Sequence, residues 1–233
     1  MKLLIGQSPV KQIADWLQKQ PQIEPIWIPS IDGIETPLRR HLDLQCVFLP
    51  DVCICCPQTY SFYKNNLKNI FVVCGSYTPK SPYPADIAYN AARVGKHLFC
   101  KISDTDPVIL DYAQKQQLTL VNVAQGYTKC SLIPVSEKAI ITADSSIAQA
   151  AAANGFDVLF TTNDGILLPG YSNGFIGGTC AQTAKTFLFF GNLTKHRDFK
   201  KITHFLKKYG KDFLQIPSAP LTDLGSPCFI PDA

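Results

Sequence analysis

The sequence lacks any run of the ~18–20 consecutive apolar residues that a membrane-spanning helix requires. Its opening, MKLLIGQSPV, holds one lysine and an apolar stretch too short for a secretory signal. Both absences argue against a protein that is inserted in a membrane or exported. We therefore expect no membrane partner and a cytoplasmic location.

Arginine is also scarce. Arg39, Arg40, Arg93 and Arg197 are the only arginines among 22 basic residues, which face 18 acidic ones for a mild net charge of +4. The lysines concentrate in KHRDFKKITHFLKKYGK (195–211), where no stripe of aromatic residues alternates with them. This pattern is typical of a solvated helix face, so nucleic acid is not an expected partner.

Complete metal-binding motifs are missing. Cys53, Cys55 and Cys56 stand close together, but no second cysteine or histidine pair lies at a spacing that would complete four ligands. Alternation along a strand puts Cys53 and Cys55 on one face and Cys56 on the other. We therefore predict that the three thiols pack in the core as small hydrophobic groups, and that the protein binds no metal.

Glycine-rich phosphate loops are absent as well. The segment GFIGGT (174–179) is neither a Walker loop nor a GxGxxG motif, and we expect no organic cofactor. Gly177 and Gly178 instead favour a place where two backbones approach closely. The nine cysteines are an odd number and fall mostly within predicted buried strands, which is typical of free thiols in a reducing cytoplasm.

What the sequence does contain is a repeat of strand, strand, helix, strand. The units span about 41–80, 81–124, 125–164, 165–217, and 218–233 joined with 1–40. The last unit is split between the two chain ends, and no unit is large enough to bury a core alone. We therefore predict one α/β domain, a five-fold pseudosymmetric ββαβ propeller. Pairing of the segments 220–231 and 2–6 would close its ring.

An ordinary α/β domain, in which strands and helices also alternate, is the alternative. A doubly wound sheet usually has one strand per helix, whereas two strands precede each helix here. The first strand of each unit is also rich in small and polar residues. That composition suits the crowded axis of a ring better than the centre of an open sheet.

Helix ends have local signals. Ser8 and Asp106 each precede a proline, an arrangement that favours an N-cap followed by the first helical residue. Asp144 or Ser145 is expected to cap the helix of the third unit. Gly155 follows that helix where a left-handed C-terminal residue belongs.

Polar residues converge if the first strands surround an axis. They are His41, Asp43, Asp86, Asn90, Lys129, Cys130, Cys180, Asp223 and Cys228. His41 and Asp43 stand two apart, so we expect them on one face of a strand. A cysteine, a histidine and two carboxylates around a common axis supply a nucleophile, an acid–base group and a clamp for a cation.

At this point the sequence resembles the guanidino-group-modifying enzymes of the pentein, or α/β-propeller, superfamily, and it is similar as a whole to an uncharacterised bacterial branch of it. HLD (41–43) looks like the segment of the catalytic histidine, and GYTKCS (126–131) fits that of the nucleophilic cysteine. TDLG (222–225) stands where the family has an acidic clamp, with Asp in place of Glu.

The resemblance implies Cys130 as nucleophile, His41 as general acid and base, and Asp43 and Asp223 as guanidinium ligands. Asp86 is a further candidate for substrate binding.

The assignment departs from the family in one respect. The usual nucleophile lies close to the C-terminus, a place that Cys228 occupies here. Cys228 is thus the rival nucleophile, but no HLD-like segment stands two units before it. Structural roles also stay open: Cys130 packed in a strand, His41 in a surface turn, Asp43 as a charged residue that protects a strand edge, and Asp223 as a turn former.

The resemblance implies hydrolysis or amidino transfer on a small guanidino compound. The alternative is a non-catalytic protein of this fold, either similar to the ribosome anti-association factor or a sensor of guanidino ligands. Arg93 and Lys129 are candidates to hold a substrate carboxylate. Deiminase, hydrolase and transferase are not separable from the sequence, and the oligomeric state is open.

Overall fold

Five small β-sheets of three strands each organise the chain in a computed structural model that describes residues 1–230. Pro231, the last residue of the predicted closing segment, and residues 232–233 lie outside the described residues. In every sheet the middle strand pairs antiparallel with the first strand of the unit and parallel with the third. The predicted ββαβ repeat is therefore present five times.

The strands are β1 Lys2–Ile5, β2 Glu24–Trp27, β3 Cys46–Leu49, β4 Val52–Cys55, β5 Phe71–Cys74, β6 Ala92–Val94, β7 His97–Cys100, β8 Thr119–Asn122, β9 Leu132–Ser136, β10 Ala139–Thr142, β11 Asp157–Phe160, β12 Cys180–Gln182, β13 Thr186–Phe189, β14 Asp212–Gln215 and β15 Cys228–Ile230. The α-helices are α1 Lys11–Gln18, α2 Leu42–Gln45, α3 Tyr60–Asn66, α4 Pro107–Lys115, α5 Ser145–Ala153 and α6 Phe199–Lys208. Within residues 1–230, no helix is both long enough and apolar enough to cross a membrane.

The two chain ends share one sheet. β15 pairs antiparallel with β1, with Leu3 opposite Phe229 and Leu4 opposite Cys228, and β1 continues parallel to β2. The predicted pairing between the C-terminal and N-terminal segments is thus observed over the described residues.

The middle strand of each sheet is buried on both faces, which is why these strands read as continuous apolar runs. Because successive side chains point to opposite faces, each middle strand contributes to two different core clusters. The residue pairs are Leu3 and Leu4, Cys53 and Ile54, Leu98 and Phe99, Ile140 and Ile141, and Phe187 and Leu188. Every cluster is shared by two sheets, and one of them joins the sheet of the chain ends to the sheet β3–β4–β5.

The prediction that Cys53 and Cys55 face one side of their strand and Cys56 the other is confirmed. Cys53 and Cys55 pack in one core cluster, whereas Cys56 packs in the neighbouring one. All nine cysteines lie within the described residues and are free thiols.

The first strands begin later than the sequence predicts. His41 precedes the short helix α2, Asp43 lies inside it, and pairing starts only at Cys46. The prediction that His41 and Asp43 share a strand face is therefore wrong. The physical reason is that the backbone N–H of Asp43 donates to the carbonyl of Gly225 in another unit, and that of Leu44 donates to His41, so neither joins a ladder.

The helix-end predictions are correct at three places, two N-caps and one C-terminal glycine, and wrong at one. The side chain of Asp106 accepts from the Val108 N–H at the start of α4, and Asp144 accepts from Ile147 in α5. Gly155 follows α5 with a φ of 74°. Ser8 does not cap α1, because its hydroxyl accepts from the Val10 N–H and the helix begins at Lys11.

Candidate active site

The predicted site residues lie in turns that precede the first strands. His41 is the N-cap of α2, Asp43 belongs to its first turn, and Cys130 comes just before β9. Asp223 lies before β15. Turns expose backbone groups to side chains, so polar residues there hold the local structure as well as face a ligand.

Three of these residues meet. A ring nitrogen of His41, a carboxylate oxygen of Asp43 and the sulfur of Cys130 all lie within 4.8 Å of one another. Asp223 lines the same cavity as His41 and Cys130. All four side chains are at most 5 % exposed, so charges at this place are poorly screened by water.

One carboxylate oxygen of Asp43 accepts hydrogen bonds, and the other has no hydrogen-bond partner. Its Oδ2 accepts from the Cys130 thiol at 2.8 Å and from the Ser226 hydroxyl at 2.6 Å. Its Oδ1 is buried without a hydrogen-bond partner. Burial raises the pKa of Asp43, the His41 charge opposes the shift, and Asp223 adds to it. A donor that reached Oδ1 would remove the cost of this buried, unsatisfied acceptor.

Cys130 is held as a neutral thiol in the absence of a ligand. Burial, together with the charges of Asp43 and Asp223, holds the pKa of Cys130 well above its usual range. One group opposes this: Asn90 donates from Nδ2 to the sulfur at 3.4 Å. The Asn90 carbonyl also accepts from the Lys129 N–H at 2.6 Å, so this side chain positions the cysteine turn.

Asp223 is anchored by the backbone. Its Oδ2 accepts from the Phe175 N–H at 2.8 Å and its Oδ1 accepts from the Gly225 N–H at 2.9 Å. Burial raises the pKa of Asp223 to about 6, although both hydrogen bonds and Lys129 lower it.

Glycine is required around this carboxylate. A Cβ on Gly178 would lie 1.8 Å from Asp223 Oδ1, and a Cβ on Gly177 would lie 2.4 Å from the carbonyl oxygen of Cys130. The predicted close approach at Gly177 and Gly178 is confirmed.

His41 is buried against another glycine. A Cβ on Gly225, whose φ is 68°, would lie 2.4 Å from Cβ and Cγ of His41. Burial lowers the pKa of His41, and the Asp43 charge opposes the shift. A neutral imidazole is therefore favoured near pH 7, and it is able to accept a proton.

A cavity of about 140 Å³ brings His41, Cys130 and Asp223 together. Its other lining residues are Leu38, Leu44, Tyr127, Leu168, Tyr171, Asn173 and Phe175. Pockets for drug-sized ligands have roughly 300–1,000 Å³, so this cavity fits a small ligand. Asp86 is not among the described lining residues; it contacts the cavity wall through Tyr127, whose hydroxyl donates to Asp86 Oδ2 at 2.6 Å.

A second cavity, of about 180 Å³, is lined by neighbouring residues of the same segments. Cys228, Lys129 and Arg93 line it, together with Asp43 and Ser226. The rival nucleophile therefore lies at a different cavity from His41. The two candidates for a carboxylate clamp, Arg93 and Lys129, also face this second cavity rather than the one at Cys130.

Sequence reasoning missed two contributors. Ser226 is not among the expected polar residues, and Asn90 is expected near the axis without a role, yet both hydrogen-bond the Asp43–Cys130 pair. The signal for Ser226 is its place directly after Gly225 in LGSPC. Its φ of 58° marks the same turn in the structure.

The histidine, carboxylate and thiol have the donor types of a metal site. Ligand distances of about 2.0–2.3 Å around a tetrahedral ion would separate two ligand atoms by roughly 3.5 Å. The 2.8 Å between Cys130 Sγ and Asp43 Oδ2 is instead a hydrogen-bond distance. The described geometry is therefore that of a hydrogen-bonded acid–thiol pair beside an imidazole.

The fold is that of the guanidino-group-modifying enzymes, the pentein superfamily. DDAH from Pseudomonas aeruginosa complexed with citrulline superposes with a TM-score of 0.56 at 8 % identity, over 93 % of this chain and 92 % of that one. Agmatine deiminase from C. jejuni gives 0.54 at 10 % identity, over 93 % and 76 %. A saxitoxin-pathway amidinotransferase from Microseira wollei gives 0.53 at 11 %, over 91 % and 74 %.

Sequence comparison assigns the family. Residues 4–227 match DUF6873, a family of unknown function, and the chain belongs to this family. No curated protein sequence matches the chain. The structural comparisons confirm the resemblance to the pentein superfamily at the level of the fold.

Proposed function

We propose that this protein hydrolyses or transfers the amidino group of a small guanidinium compound, with Cys130 as nucleophile and His41 as general acid and base. The observation that carries the proposal is the cavity lined by Cys130, His41 and Asp223, with Asp43 hydrogen-bonded to the thiol. The solved structures of similar fold include hydrolases and amidinotransferases of guanidino compounds.

We also infer that the five units form one domain closed into a ring around a pseudo-fivefold axis. The five shared core clusters support this arrangement, because they link neighbouring sheets in succession and the last returns to the first. Such a ring would bring turns from different units to the axis, which explains how residues far apart in sequence meet.

Electrostatic attraction between a guanidinium cation and the carboxylates of the site would drive substrate binding. A guanidinium is a planar cation with paired N–H donors that match carboxylates. Asp223 lines the cavity and has lone pairs left to accept. Asp43 lines the second cavity, but it adjoins this one through its hydrogen bond with Cys130, and its Oδ1 is without a partner. Both carboxylates are therefore suitable acceptors. A bound cation beside the thiol would offset the two carboxylates and lower the pKa of Cys130, so the substrate would generate its own nucleophile.

The chemical step then follows. The Cys130 proton passes to His41, and the thiolate attacks the guanidinium carbon. Collapse of the tetrahedral adduct breaks a carbon–nitrogen bond, and the His41 imidazolium protonates the departing amine. His41 next deprotonates water, which attacks the S-linked amidino carbon and releases the thiolate with a ureido product. An amine in place of water would give amidino transfer.

A product assay tests the proposal. Incubation with arginine, agmatine, methylarginines and guanidinoacetate should release ammonia, an alkylamine or urea from at least one compound, or transfer its amidino group to an amine. Cys130→Ala should abolish turnover, whereas the matched variant Cys228→Ala should retain it. Turnover that requires Cys228 instead would contradict the assignment.

One observation favours a second candidate, a sensor that binds guanidino compounds without turnover. The thiol is neutral and buried, as suits a binding site without a nucleophile. A ligand at ~100 times its dissociation constant stabilises the folded state by about 2.7 kcal/mol. A rise in melting temperature with no product from any of these compounds would therefore establish the sensor.

A further inference from the structure

We propose that the cavity at Cys130 selects guanidinium compounds whose far end is an ammonium or another hydrogen-bond donor, and disfavours those that end in a carboxylate. The inference rests on the proposed function, since it takes the guanidinium to lie at Cys130. It concerns the part of the cavity wall that is formed by Tyr127 and Tyr171.

Both tyrosines donate their only hydroxyl proton to a carboxylate. Tyr127 donates to Asp86 at 2.6 Å, and Tyr171 donates to Glu35. A tyrosine hydroxyl has one donor and can otherwise only accept. Toward a ligand these two groups are therefore acceptors, and each is backed by an acidic side chain.

Asp86, which accepts from Tyr127, adds an unsatisfied acceptor next to this wall. It is 2 % exposed, and its Oδ1 has no hydrogen-bond partner. Burial raises the pKa of Asp86, and the Glu35 charge raises it further. Tyr171 interacts with both carboxylates as well. Glu35 and Tyr171 are exposed, so water screens the Glu35 charge and the buried Asp86 carboxylate dominates. A ligand cation near the two tyrosines would be attracted by Asp86, whereas a ligand carboxylate would be repelled.

The described residues of the cavity wall include no lysine or arginine side chain that would neutralise these carboxylates. Lys129 and Arg93 line the second cavity instead. The ring centroid of Tyr127 also lies 5.9 Å from that of Phe175 and 5.5 Å from that of Tyr83, both in tilted arrangements, and aromatic faces attract cations.

One neighbouring feature offers the opposite preference. A groove of about 580 Å³ shares His41 and Asp223 with the cavity and is lined by Arg39 and Arg40. A substrate whose far end lay in this groove could present a carboxylate to the arginines. Cys130 does not line the groove, so we assign the far end to the tyrosine wall, and the experiment includes the groove as the competing outcome.

Three guanidines of equal chain length separate these outcomes: butylguanidine, agmatine and 4-guanidinobutanoate. They differ only in a neutral, cationic or anionic far end. Calorimetric titration of the full chain should give dissociation constants at least about tenfold weaker for 4-guanidinobutanoate than for agmatine. Equal or tighter binding of 4-guanidinobutanoate would overturn the inference while leaving the proposed function intact. Failure of all three to bind would instead remove the proposed function.

Variants locate the effect. Asp86→Asn should reduce the ratio of agmatine to butylguanidine affinity, and Tyr127→Phe, which keeps the ring, should do the same if Asp86→Asn is poorly folded. Arg40→Gln is the matched variant in the groove and should leave the ratio of 4-guanidinobutanoate to butylguanidine affinity unchanged. Selective loss of 4-guanidinobutanoate binding in Arg40→Gln would place the far end in the groove and contradict the inference.

Discussion

The thiol of Cys130 donates a hydrogen bond of 2.8 Å to Oδ2 of Asp43, a residue 87 positions away in the sequence. Both groups are buried. Their contact keeps the proposed nucleophile protonated until a cation arrives, because the carboxylate disfavours a second negative charge beside it. The reactivity of the thiol should therefore depend on the charge of the reagent.

Alkylation tests this dependence. Chloroacetamidine carries an amidinium cation and should modify Cys130 faster than neutral iodoacetamide does at the same pH, because the cation lowers the thiol pKa as it binds. Iodoacetamide should first modify Cys74, the cysteine that is exposed. Peptide mapping by mass spectrometry identifies the sites. Faster labelling of Cys228 by chloroacetamidine would move the proposed nucleophile to that residue.

Asp43→Asn should separate stability from binding. An asparagine whose oxygen replaces Oδ2 keeps the hydrogen bonds from Cys130 and Ser226, and its NH₂ takes the place of the unpartnered Oδ1. The variant should fold and should lose the melting-temperature shift given by guanidinium ligands. A retained ligand shift would exclude Asp43 from the proposed clamp.

The pH dependence has a defined sign. Asp43 and Asp223 both have raised pKa values in the folded state, that of Asp223 about 6. Their contribution to the stability of the folded state is fully present below the unfolded-state pKa of about 4 and is lost as the pH rises through the folded-state pKa values. A tenfold difference in proton affinity between the folded and the unfolded state corresponds to about 1.4 kcal/mol. Asp43→Asn should therefore gain stability relative to the wild type in denaturant titrations as the pH rises above the unfolded-state pKa of about 4. Guanidinium binding by the wild type should strengthen over the same range.

Asn90 is predicted to be a positioning residue for the thiol. Asn90→Asp retains an acceptor for the Lys129 N–H but replaces the donor to sulfur with a negative charge. The pKa of Cys130 should rise further, so kcat should fall about 10²-fold and the alkaline limb of the pH–rate profile should move to higher pH. A purely structural role would lower stability without moving the pH profile.

Gly178→Ala should displace Asp223, because its Cβ would lie 1.8 Å from the carboxylate. We expect a cost of about 3 kcal/mol or more in the free energy of unfolding, or loss of guanidinium binding. Gly165→Ala is the control, since its φ is 76° but nothing lies within 4 Å of the added Cβ. Its cost should be about 1 kcal/mol from backbone strain alone. Equal effects of the two substitutions would contradict the close-approach argument.

Local patterns in the sequence predicted much of the fold. Apolar runs such as VCIC and AIIT mark the buried middle strands, and the aspartates before α4 and α5 cap those helices as expected. Such features depend on neighbours within a few residues, so they are readable without knowledge of the tertiary structure. The split repeat also predicted the pairing of β15 with β1, while the exact division of the chain into units stays a prediction.

The sequence by itself determined that one thiol, one imidazole and two carboxylates belong to corresponding places of repeated units. Only the tertiary structure decided that His41 and Asp43 lie in a helical turn, that Ser226 and Asn90 hold the Asp43–Cys130 pair, and that Asp86 meets the cavity through Tyr127. These hydrogen bonds join residues from different units. The turn at Asp43 also depends on another unit, because its backbone N–H donates to the Gly225 carbonyl. The loss of water around Cys130 likewise depends on the surrounding core and on Asp43 and Asp223, which are distant in sequence. The raised pKa of Cys130 could therefore not be predicted from its sequence neighbours.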